Sequence, residues 1–318
     1  MLLGTGGTIA GQAADASDNV GYTAAQLSIA DLTHGLAEPE GMVLVAEQVA
    51  QIDSKDMDDG VWRKLLARVN ELLGDESVKG VVIAHGTDTM EETAYLLQAV
   101  LNPAKPVVLT GAMRPATAVL CDGPQNLADA LAVAAWPGAR GVMVVFAGKI
   151  HSALHVQKSH CYQTDAFDSG DAGPLGVVEE ANCRLWQPWP VTGNRSVLIN
   201  ALLKAARWPR VEWLTSHGNA TGRLVWDLLA QRRLQTQSGA DGDPVRGIVV
   251  AGTGNGTLSE GLIQAFEEAQ SQGVEVRVCS RCARGRVVSG GAATVFDTLA
   301  LPPAKARLAL MLDLVARA

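Results

Sequence analysis

Hydroxyl and carboxyl side chains gather directly behind an apolar tetrapeptide in the first third of the chain. Val81–Ala84 is apolar throughout and has the length of one buried strand. Thr87, Asp88 and Thr89 follow it, and from Met90 apolar residues recur at helical spacing. The three polar residues are therefore predicted to lie at the carboxyl end of a strand, beside a helix N-terminus. Open α/β sheets hold their ligands at such places.

A simpler interpretation is that these residues only cap the following helix, because Ser, Thr and Asp are preferred at helix N-caps. Capping needs one such residue, whereas three stand in a row behind Gly86. The residues by themselves leave two alternatives open: helix capping, or a role in a functional site.

A second turn that is rich in glycine and hydroxyl groups opens the chain. Gly4 and Gly6 suggest a dinucleotide-binding loop, but Ile9 stands where that fingerprint requires glycine or alanine. A phosphate-binding P-loop does not fit either, since no lysine occurs before Lys55. What remains is a short strand that ends in a turn exposing hydroxyls such as that of Thr8.

The residues beyond this turn predict a loop and, later, a helix start. Residues 11–21 are small and polar without an apolar period, and Tyr22 stands at their end. We predict a mobile loop that acts as a lid. Further on, Ser54 or Asp56 is expected to cap the helix that contains Val61 and Leu65.

The totals limit the class of protein. A length of 318 residues favours two domains, and 47% hydrophobic residues suffice for a large core. The net charge of −7 and the lack of a basic cluster argue against nucleic acid as a partner. No apolar run is long enough to predict a membrane span.

Cysteines and histidines predict neither disulfides nor a metal site. The five cysteines are few and odd in number, which favours a reducing compartment. Cys279 and Cys282 form a C-x-x-C pair, but no second pair and no thioredoxin-like context accompany it. His151, His155 and His160 match no zinc spacing. Neither a metal nor a cofactor is therefore predicted.

The order of the elements predicts an α/β fold. Strands and helices alternate with short connections up to Phe146, which indicates a parallel sheet with right-handed crossovers. The alternation lapses there and resumes at Val211, after an irregular stretch rich in tryptophan and proline over residues 179–210. We predict two α/β domains: a larger N-terminal parallel-sheet domain (1–189) and a smaller C-terminal α/β domain (211–318), joined by a linker (190–210).

Five separated stretches resemble the bacterial-type asparaginase and glutaminase-asparaginase family. Residues 5–11 resemble that family's first signature, and residues 85–94 resemble its second. The strand and loop at 107–115, the lysine segment at 158–176 and the glycine turn at 252–256 are similar to further family segments. The matches occur in one order and cover nearly the whole chain.

The resemblance implies an asparaginase that converts L-asparagine into L-aspartate and ammonia through a threonine nucleophile and an acyl-enzyme. Thr8 would be the nucleophile, with Tyr22 from the loop as its partner. Thr87, Asp88 and Lys158 would form a second catalytic group, in which the lysine serves as base. A glutaminase-asparaginase or a related amidase is the alternative, and a binding module without turnover is the rival from another class.

The resemblance also implies how the substrate is bound. Asp88 would bind the α-ammonium group, while Ser54 and backbone groups near Gly86 and Ala112 would hold the carboxylate and the amide. Asn255 would reach the site of a neighbouring subunit, which implies a homo-oligomer, in this family usually a tetramer.

The chain departs from the family pattern at two places. Lys55 stands where many members have glutamine, and it would add a cation beside the substrate carboxylate. Residues 281–291 contain no acid, although many secreted members supply a glutamate there. We predict a preference for asparagine over glutamine, because the crowding by Lys55 leaves little room.

Two features bear on the compartment, and they disagree. The first residues show no signal peptide, which predicts the cytoplasm. The Met-Glu-Glu form of the second signature is more similar to the secreted type, and a trimmed start would leave the periplasm open as the alternative.

Overall fold

The structure of this protein is a computed structural model that describes residues 1–191, 197–237, 242–288 and 296–317. The chain divides into two compact units, Met1–Leu203 and Lys204–Ala318. The domain and linker bounds given above stay a prediction. Residues 192–196 of that linker and residues 289–291 of the segment without an acid lie outside the described residues.

Strands and helices alternate along most of the described chain. The strands are β1 (Leu2–Gly6), β2 (Ala46–Ile52), β3 (Val81–Ala84), β4 (Pro106–Thr110), β5 (Gly141–Phe146), β6 (Lys149–Ser152), β7 (Gln157–Lys158), β8 (Phe167–Asp168), β9 (Gly176–Glu179), β10 (Asn182–Leu185), β11 (Val211–Thr215), β12 (Gly247–Gly252) and β13 (Glu275–Ser280). The helices are α1 (Ile29–Thr33), α2 (Asp59–Gly74), α3 (Met90–Leu101), α4 (Gly123–Ala135), α5 (Val197–Lys204), α6 (Arg223–Gln237), α7 (Glu260–Ser271) and α8 (Pro303–Ala316).

The larger unit is built on an eight-stranded sheet with the strand order β10-β9-β6-β5-β4-β3-β1-β2. The strands from β2 to β5 in this order pair in parallel, which confirms the predicted parallel sheet. Strands β3, β4 and β5 are buried along their whole length, because helices cover both faces of such a sheet.

The remaining strands of this sheet are antiparallel, which the sequence analysis did not predict. Ala147 and Gly148 join β5 to β6, and both have positive φ, 48° and 72°. Two such residues in succession reverse the chain into a hairpin. Glu180 and Ala181, with φ of 49° and 61°, do the same between β9 and β10. The stretch predicted to be irregular therefore contains β10, and it also contains the whole of α5.

Helix α2 begins with a cap that differs from the expected one. The carboxylate of Asp58 accepts a hydrogen bond from the backbone N–H of Val61 at 2.8 Å. Ser54 and Asp56, the expected caps, instead lie in a short 3-10 turn that Asp53 caps. The prediction was wrong, and the Ser54 hydroxyl remains available for other contacts.

The smaller unit holds a parallel three-stranded sheet in the order β11-β12-β13. Helices α6 and α7 cover one face with apolar side chains such as Val225, Leu229 and Phe266. Helix α8 packs on the other face, where Leu310 lies against Gly247. This arrangement confirms the predicted second α/β domain.

Candidate active site

Two glycine turns meet at the carboxyl ends of neighbouring strands. Strands β1 and β3 are parallel partners, so the turns that follow them emerge side by side. A Cβ atom on Gly7 would lie only 2.3 Å from the Cα of Gly86, and Gly7 has a φ of +84°. Only glycine fits this contact without strain. Thr8 and Thr87 each follow one of these two glycines, so the contact brings the two threonines to one place.

Thr8 is paired with a tyrosine from the loop that follows it. Its side chain is buried, and its hydroxyl shares a hydrogen bond of 2.6 Å with the Tyr22 hydroxyl. The tyrosine ring lies against Gly11, where a Cβ atom would be 2.8 Å from a ring carbon. The structure thus brings together the two residues that the resemblance paired.

The loop that carries Tyr22 is seated on a neighbouring loop. Gln12 and Thr23 exchange two backbone hydrogen bonds of 2.9 Å at its base. The N–H of Ala13 donates to the hydroxyl of Thr117 at 2.9 Å, and the N–H of Ala116 donates to the carbonyl of Gly11 at 2.9 Å. These bonds hold the loop in place at its base, and its mobility stays a prediction.

Thr87 and Asp88 are joined to Lys158. The lysine Nζ donates hydrogen bonds to the Thr87 hydroxyl at 2.8 Å and to the Asp88 carboxylate at 2.5 Å. The side chain of Lys158 is 18% exposed, which limits screening of its charge by water. Its backbone N–H donates to the carboxylate of Glu91 at 2.5 Å, which fixes the lysine strand to the start of α3.

The interpretation in which these polar residues only cap α3 is wrong. Thr89 occupies the N-cap position, yet no side chain makes a capping bond there. The Thr89 hydroxyl instead donates to the carbonyl of Ser54 at 2.9 Å. The side chains of Thr87 and Asp88 thus bond to Lys158 and that of Thr89 bonds to Ser54. Glu91 and Glu92 provide the negative charge that the helix N-terminus favours.

The other residues of the larger unit that are predicted to bind the substrate lie around these turns. The buried hydroxyl of Ser54 accepts the N–H of Asp88 at 3.2 Å, and a Cβ atom on Gly86 would lie 2.5 Å from it. Ala112 is buried just beyond the carboxyl end of β4. Gly111 approaches the second turn so closely that a Cβ atom would lie 2.4 Å from the carbonyl oxygen of His85.

A buried chain of hydrogen bonds supports the second turn, and the sequence analysis missed it. His85 is fully buried, and its Nδ1–H donates to the carbonyl of Gly86 at 2.7 Å. Its Nε2 therefore accepts the Thr93 hydroxyl at 2.9 Å, and that hydroxyl accepts the indole N–H of Trp62 at 2.9 Å. Burial lowers the pKa of His85 to about 4, so the imidazole is neutral at pH 7. The signal that could have indicated these hydrogen bonds was Thr93, a polar residue on an otherwise apolar helix face.

Two residues assigned by resemblance make other contacts. Lys55 is exposed and forms ion pairs with Asp53 at 2.6 Å and Asp56 at 3.5 Å. The hydrogen bond that Lys55 donates to the Asp53 carboxylate raises the pKa of Lys55. In the smaller unit, the Asn255 amide donates to the carbonyl of Val288 at 2.9 Å and accepts its N–H at 2.8 Å. The substrate-binding roles of Lys55 and Asn255 stay predictions.

The described residues contain no group of three or more histidine, cysteine or acidic side chains that could hold a metal ion. Nor does this part of the chain include a helix that is long and apolar enough to cross a membrane.

Known protein families match almost the entire chain. Residues 1–190 match the family model described as asparaginase, N-terminal, and residues 210–317 match the glutaminase/asparaginase C-terminal domain. L-asparaginase 2 of Bacillus subtilis is 34% identical over 98% of this chain and 81% of that protein. Glutaminase-asparaginase of Pseudomonas fluorescens is 36% identical over 99% of this chain and 85% of that protein.

The fold agrees with that of a solved relative. The crystal structure of a probable cytoplasmic L-asparaginase from Campylobacter jejuni superposes with a TM-score of 0.85 and is 36% identical in sequence. It covers 98% of this chain, and this chain covers 94% of it. Both family models, the full-length relatives and the shared fold lead to one conclusion: the chain belongs to the asparaginase family.

Proposed function

We propose that this chain, an amidohydrolase of the asparaginase family, hydrolyses L-asparagine to L-aspartate and ammonia with Thr8 as the nucleophile. The observation that carries this assignment is the 2.6 Å hydrogen bond between Thr8 and Tyr22, beside the group formed by Thr87 and Lys158. A hydroxyl needs a neighbouring group to accept its proton before it can attack an amide.

The reaction proceeds in two balanced steps. The Thr8 hydroxyl oxygen attacks the side-chain amide carbon of asparagine, the C–N bond breaks, and ammonia leaves with the proton of the hydroxyl. The product is an ester between Thr8 and the aspartyl group. Water then attacks this ester, which frees aspartate and restores the hydroxyl.

The second group prepares the substrate and the water. Lys158 donates to Thr87 and Asp88, so its charge is balanced by one carboxylate while the Thr87 hydroxyl faces a cation. Thr87 positions and activates the water or the amide, and Asp88 binds the α-ammonium group. Asp88 suits this role because its side chain is 54% exposed while one oxygen is fixed by the lysine.

An ammonia assay with asparagine and with glutamine tests the activity and its alternative. The two amides differ by one methylene, which a pocket distinguishes by about 10–200-fold. We expect a higher kcat/KM for asparagine, and about 10³-fold slower ammonia release from the Thr8→Val enzyme. Equal or higher kcat/KM for glutamine would make the protein a glutaminase-asparaginase, the name that some of its relatives carry. Binding of asparagine without ammonia would leave a binding module instead.

We also propose that the enzyme works as a homotetramer in which Asn255 serves a neighbouring subunit. The family resemblance supports this arrangement, and Asn255 lies on an exposed turn after β12. Sedimentation at assay concentration, combined with activity, provides the test. An active monomer would remove Asn255 from the site.

The cytoplasm is the proposed location. A relative from Campylobacter jejuni is called probable cytoplasmic, whereas one from Haemophilus influenzae is called probable periplasmic. Cell fractionation with an antibody separates the two alternatives.

A further inference from the structure

The lysine of the site is carried by a small hairpin that has little support of its own. Lys158 lies in β7, which pairs with β8 over only two residues on each strand. An isolated hairpin of two strands is marginally stable in water unless other parts of the protein hold it. The bond from the backbone N–H of Lys158 to Glu91 holds one end of the hairpin. The loop at 159–166, at the other end, needs further contacts if the lysine is to keep one position.

The side chain of Arg114, in the loop after β4, contacts this hairpin loop in two ways. Its guanidinium carbon lies 4.1 Å from the centre of the Tyr162 ring. One guanidinium N–H also donates to the backbone carbonyl of Tyr162 at 2.9 Å. A guanidinium over an aromatic ring is attracted by the negative face of that ring. The half-buried Arg114 therefore contacts both the ring and the backbone of a single residue.

The backbone at Arg114 is itself fixed to the start of α4. Its N–H donates to the Asp122 carboxylate at 2.9 Å, and the N–H of Met113 donates to the other carboxylate oxygen at 3.0 Å. The side-chain amide of Asn126, near the start of α4, donates to Asp122 at 3.3 Å and to the carbonyl of Gly111 at 2.9 Å. The guanidinium of Arg114 therefore extends from a fixed base.

The turn between Tyr162 and Lys158 is held by its own hydrogen bonds. The N–H of Tyr162 donates to Nδ1 of the His160 ring at 3.0 Å. The N–H groups of Ser159 and His160 both donate to the carbonyl of Ala166, at 2.8 and 3.2 Å. Because these bonds cross the loop, a displacement of Tyr162 would also displace Lys158.

We propose that Arg114 and Tyr162 form a positioning pair that holds Lys158 in place against Thr87 and Asp88. This inference rests on the proposed function, because the position of the lysine matters to the reaction only if Thr87 and Asp88 act on the substrate. The Lys158 Nζ lies 2.8 Å from the Thr87 hydroxyl, and a misplacement of about 1 Å can cost about 100-fold in rate. Arg114 and Tyr162 act through the lysine and not on the reacting atoms.

Chemical labelling of the full-length protein measures the position of Lys158 independently of activity. An amine-acylating reagent reacts with accessible lysine side chains, and mass spectrometry quantifies the label at each one. Lys158 is only 18% exposed and donates two hydrogen bonds, so it should be labelled slowly in the wild type. We expect Arg114→Ala to raise the labelling rate of Lys158 about tenfold and to leave that of the exposed Lys64 unchanged.

Kinetics with asparagine test the effect on the reaction. Arg114→Ala should lower kcat about tenfold with a smaller change in KM, because Asp88 keeps its own charge when the lysine moves. Tyr162→Ala should lower kcat less, because the backbone carbonyl at position 162 still accepts the guanidinium. Tyr162→Phe keeps the ring and should keep the kcat of the wild type. The double variant Arg114→Ala/Tyr162→Ala should be no slower than Arg114→Ala, since the two side chains act through one contact.

Asp165→Asn is the matched control, because Asp165 lies in the same hairpin loop. Its exposed ion pair with Lys149, at 2.6 Å, contributes little. Both kcat and the labelling rate of Lys158 should therefore match the wild type in this variant.

Unchanged labelling of Lys158 in a folded Arg114→Ala variant would overturn the proposal, and so would faster labelling without a loss of kcat. If Arg114→Ala unfolds and every lysine is labelled, Tyr162→Ala provides the same test at a ring that is 47% exposed. Kinetic effects of the two single variants that multiply in the double variant would also overturn the pair. A wild type that releases no ammonia would contradict the proposed function, whereas faster labelling of Lys158 in Arg114→Ala would still support the contact that positions it.

Discussion

The two threonines of the active site follow neighbouring strands, but their hydroxyls are held in different ways. Thr8 is bonded to the phenol hydroxyl of Tyr22, only 14 positions away, on a loop that a few hydrogen bonds hold in place. Thr87 is bonded to a lysine 71 positions away, inside a group of charges. The difference shows that the Thr8 hydroxyl depends on a loop close to it in sequence, whereas the Thr87 hydroxyl depends on an ion pair that a distant segment completes.

Removing each hydroxyl in turn gives the largest expected effect. Thr8→Val and Thr87→Val keep the shape of the side chain, and each should lower kcat by about 10³-fold. Mass spectrometry after mixing with asparagine should show no covalent adduct in Thr8→Val and an accumulated acyl-enzyme in Thr87→Val. Thr23→Val, which removes an exposed hydroxyl next to Tyr22, is the control. An adduct found only in Thr8→Val would exchange the roles of the two threonines.

The contact between the two turns can be broken next. Gly7→Ala places a Cβ atom 2.3 Å from the Cα of Gly86, so both threonines should be displaced and activity should fall by about 100-fold. Gly35→Ala is a matched control, since Gly35 has a φ of +83° and nothing within 4 Å. Both variants carry the backbone strain of about 1–3 kcal/mol, but only Gly7→Ala should lose activity. A similar loss of activity in both would show that the contact is unimportant.

The buried, hydrogen-bonded His85 near Thr87 should make the free energy of unfolding depend on pH. The pKa of His85 is about 4 in the folded protein and near 6.5 when unfolded, so the unfolded chain binds the extra proton between these values. The free energy of unfolding should therefore fall by about 3 kcal/mol as the pH drops from 7 to 4.

Urea unfolding across this pH range measures the effect. The His85→Gln variant should lose this part of the pH dependence, while His34→Gln, at an exposed histidine, should keep it. If the free energy of unfolding of His85→Gln changed with pH as it does in the wild type, other groups would be responsible for the dependence.

The smallest effect is expected from Lys55, in the short 3-10 turn before α2. Lys55→Gln should raise KM by less than about tenfold and leave kcat unchanged, since Lys55 would touch only the non-reacting end of the substrate. The ion pairs of Lys55 with Asp53 and Asp56 also favour a small change, because exposed pairs contribute little. Lys64→Gln, at another exposed lysine, is the control. A fall in kcat at constant KM would place Lys55 in the chemical step.

Local patterns predicted much of the fold. The apolar run at Val81–Ala84 is strand β3, and the helical spacing that starts at Met90 is helix α3, as predicted. These elements are mostly buried, so their apolar patterns are enough to predict them from the sequence. The hairpin between β9 and β10 was missed, because Glu180 and Ala181 are residues that rarely adopt positive φ.

The candidate site was less predictable from the residues themselves. Strand and helix signals placed Thr87 at a strand end, but only the family resemblance pointed to Lys158, since a lone lysine carries no pattern. The choice of Asp53 as the partner of Lys55 depends on side-chain conformations that spacing does not encode. The hydrogen bonds from Trp62 through Thr93 to His85 join three separate elements, and no local sequence pattern predicts that these elements are in contact.

The long separation between Lys158 and the turn it serves sets the order in which the site forms during synthesis. Both threonine turns leave the ribosome before the lysine does, because a chain is made from its N-terminus. Until β5 and β6 have paired and returned the chain, Lys158 cannot reach Thr87 or Asp88. The nascent chain therefore contains both hydroxyl turns before it contains the lysine that bonds to Thr87 and Asp88.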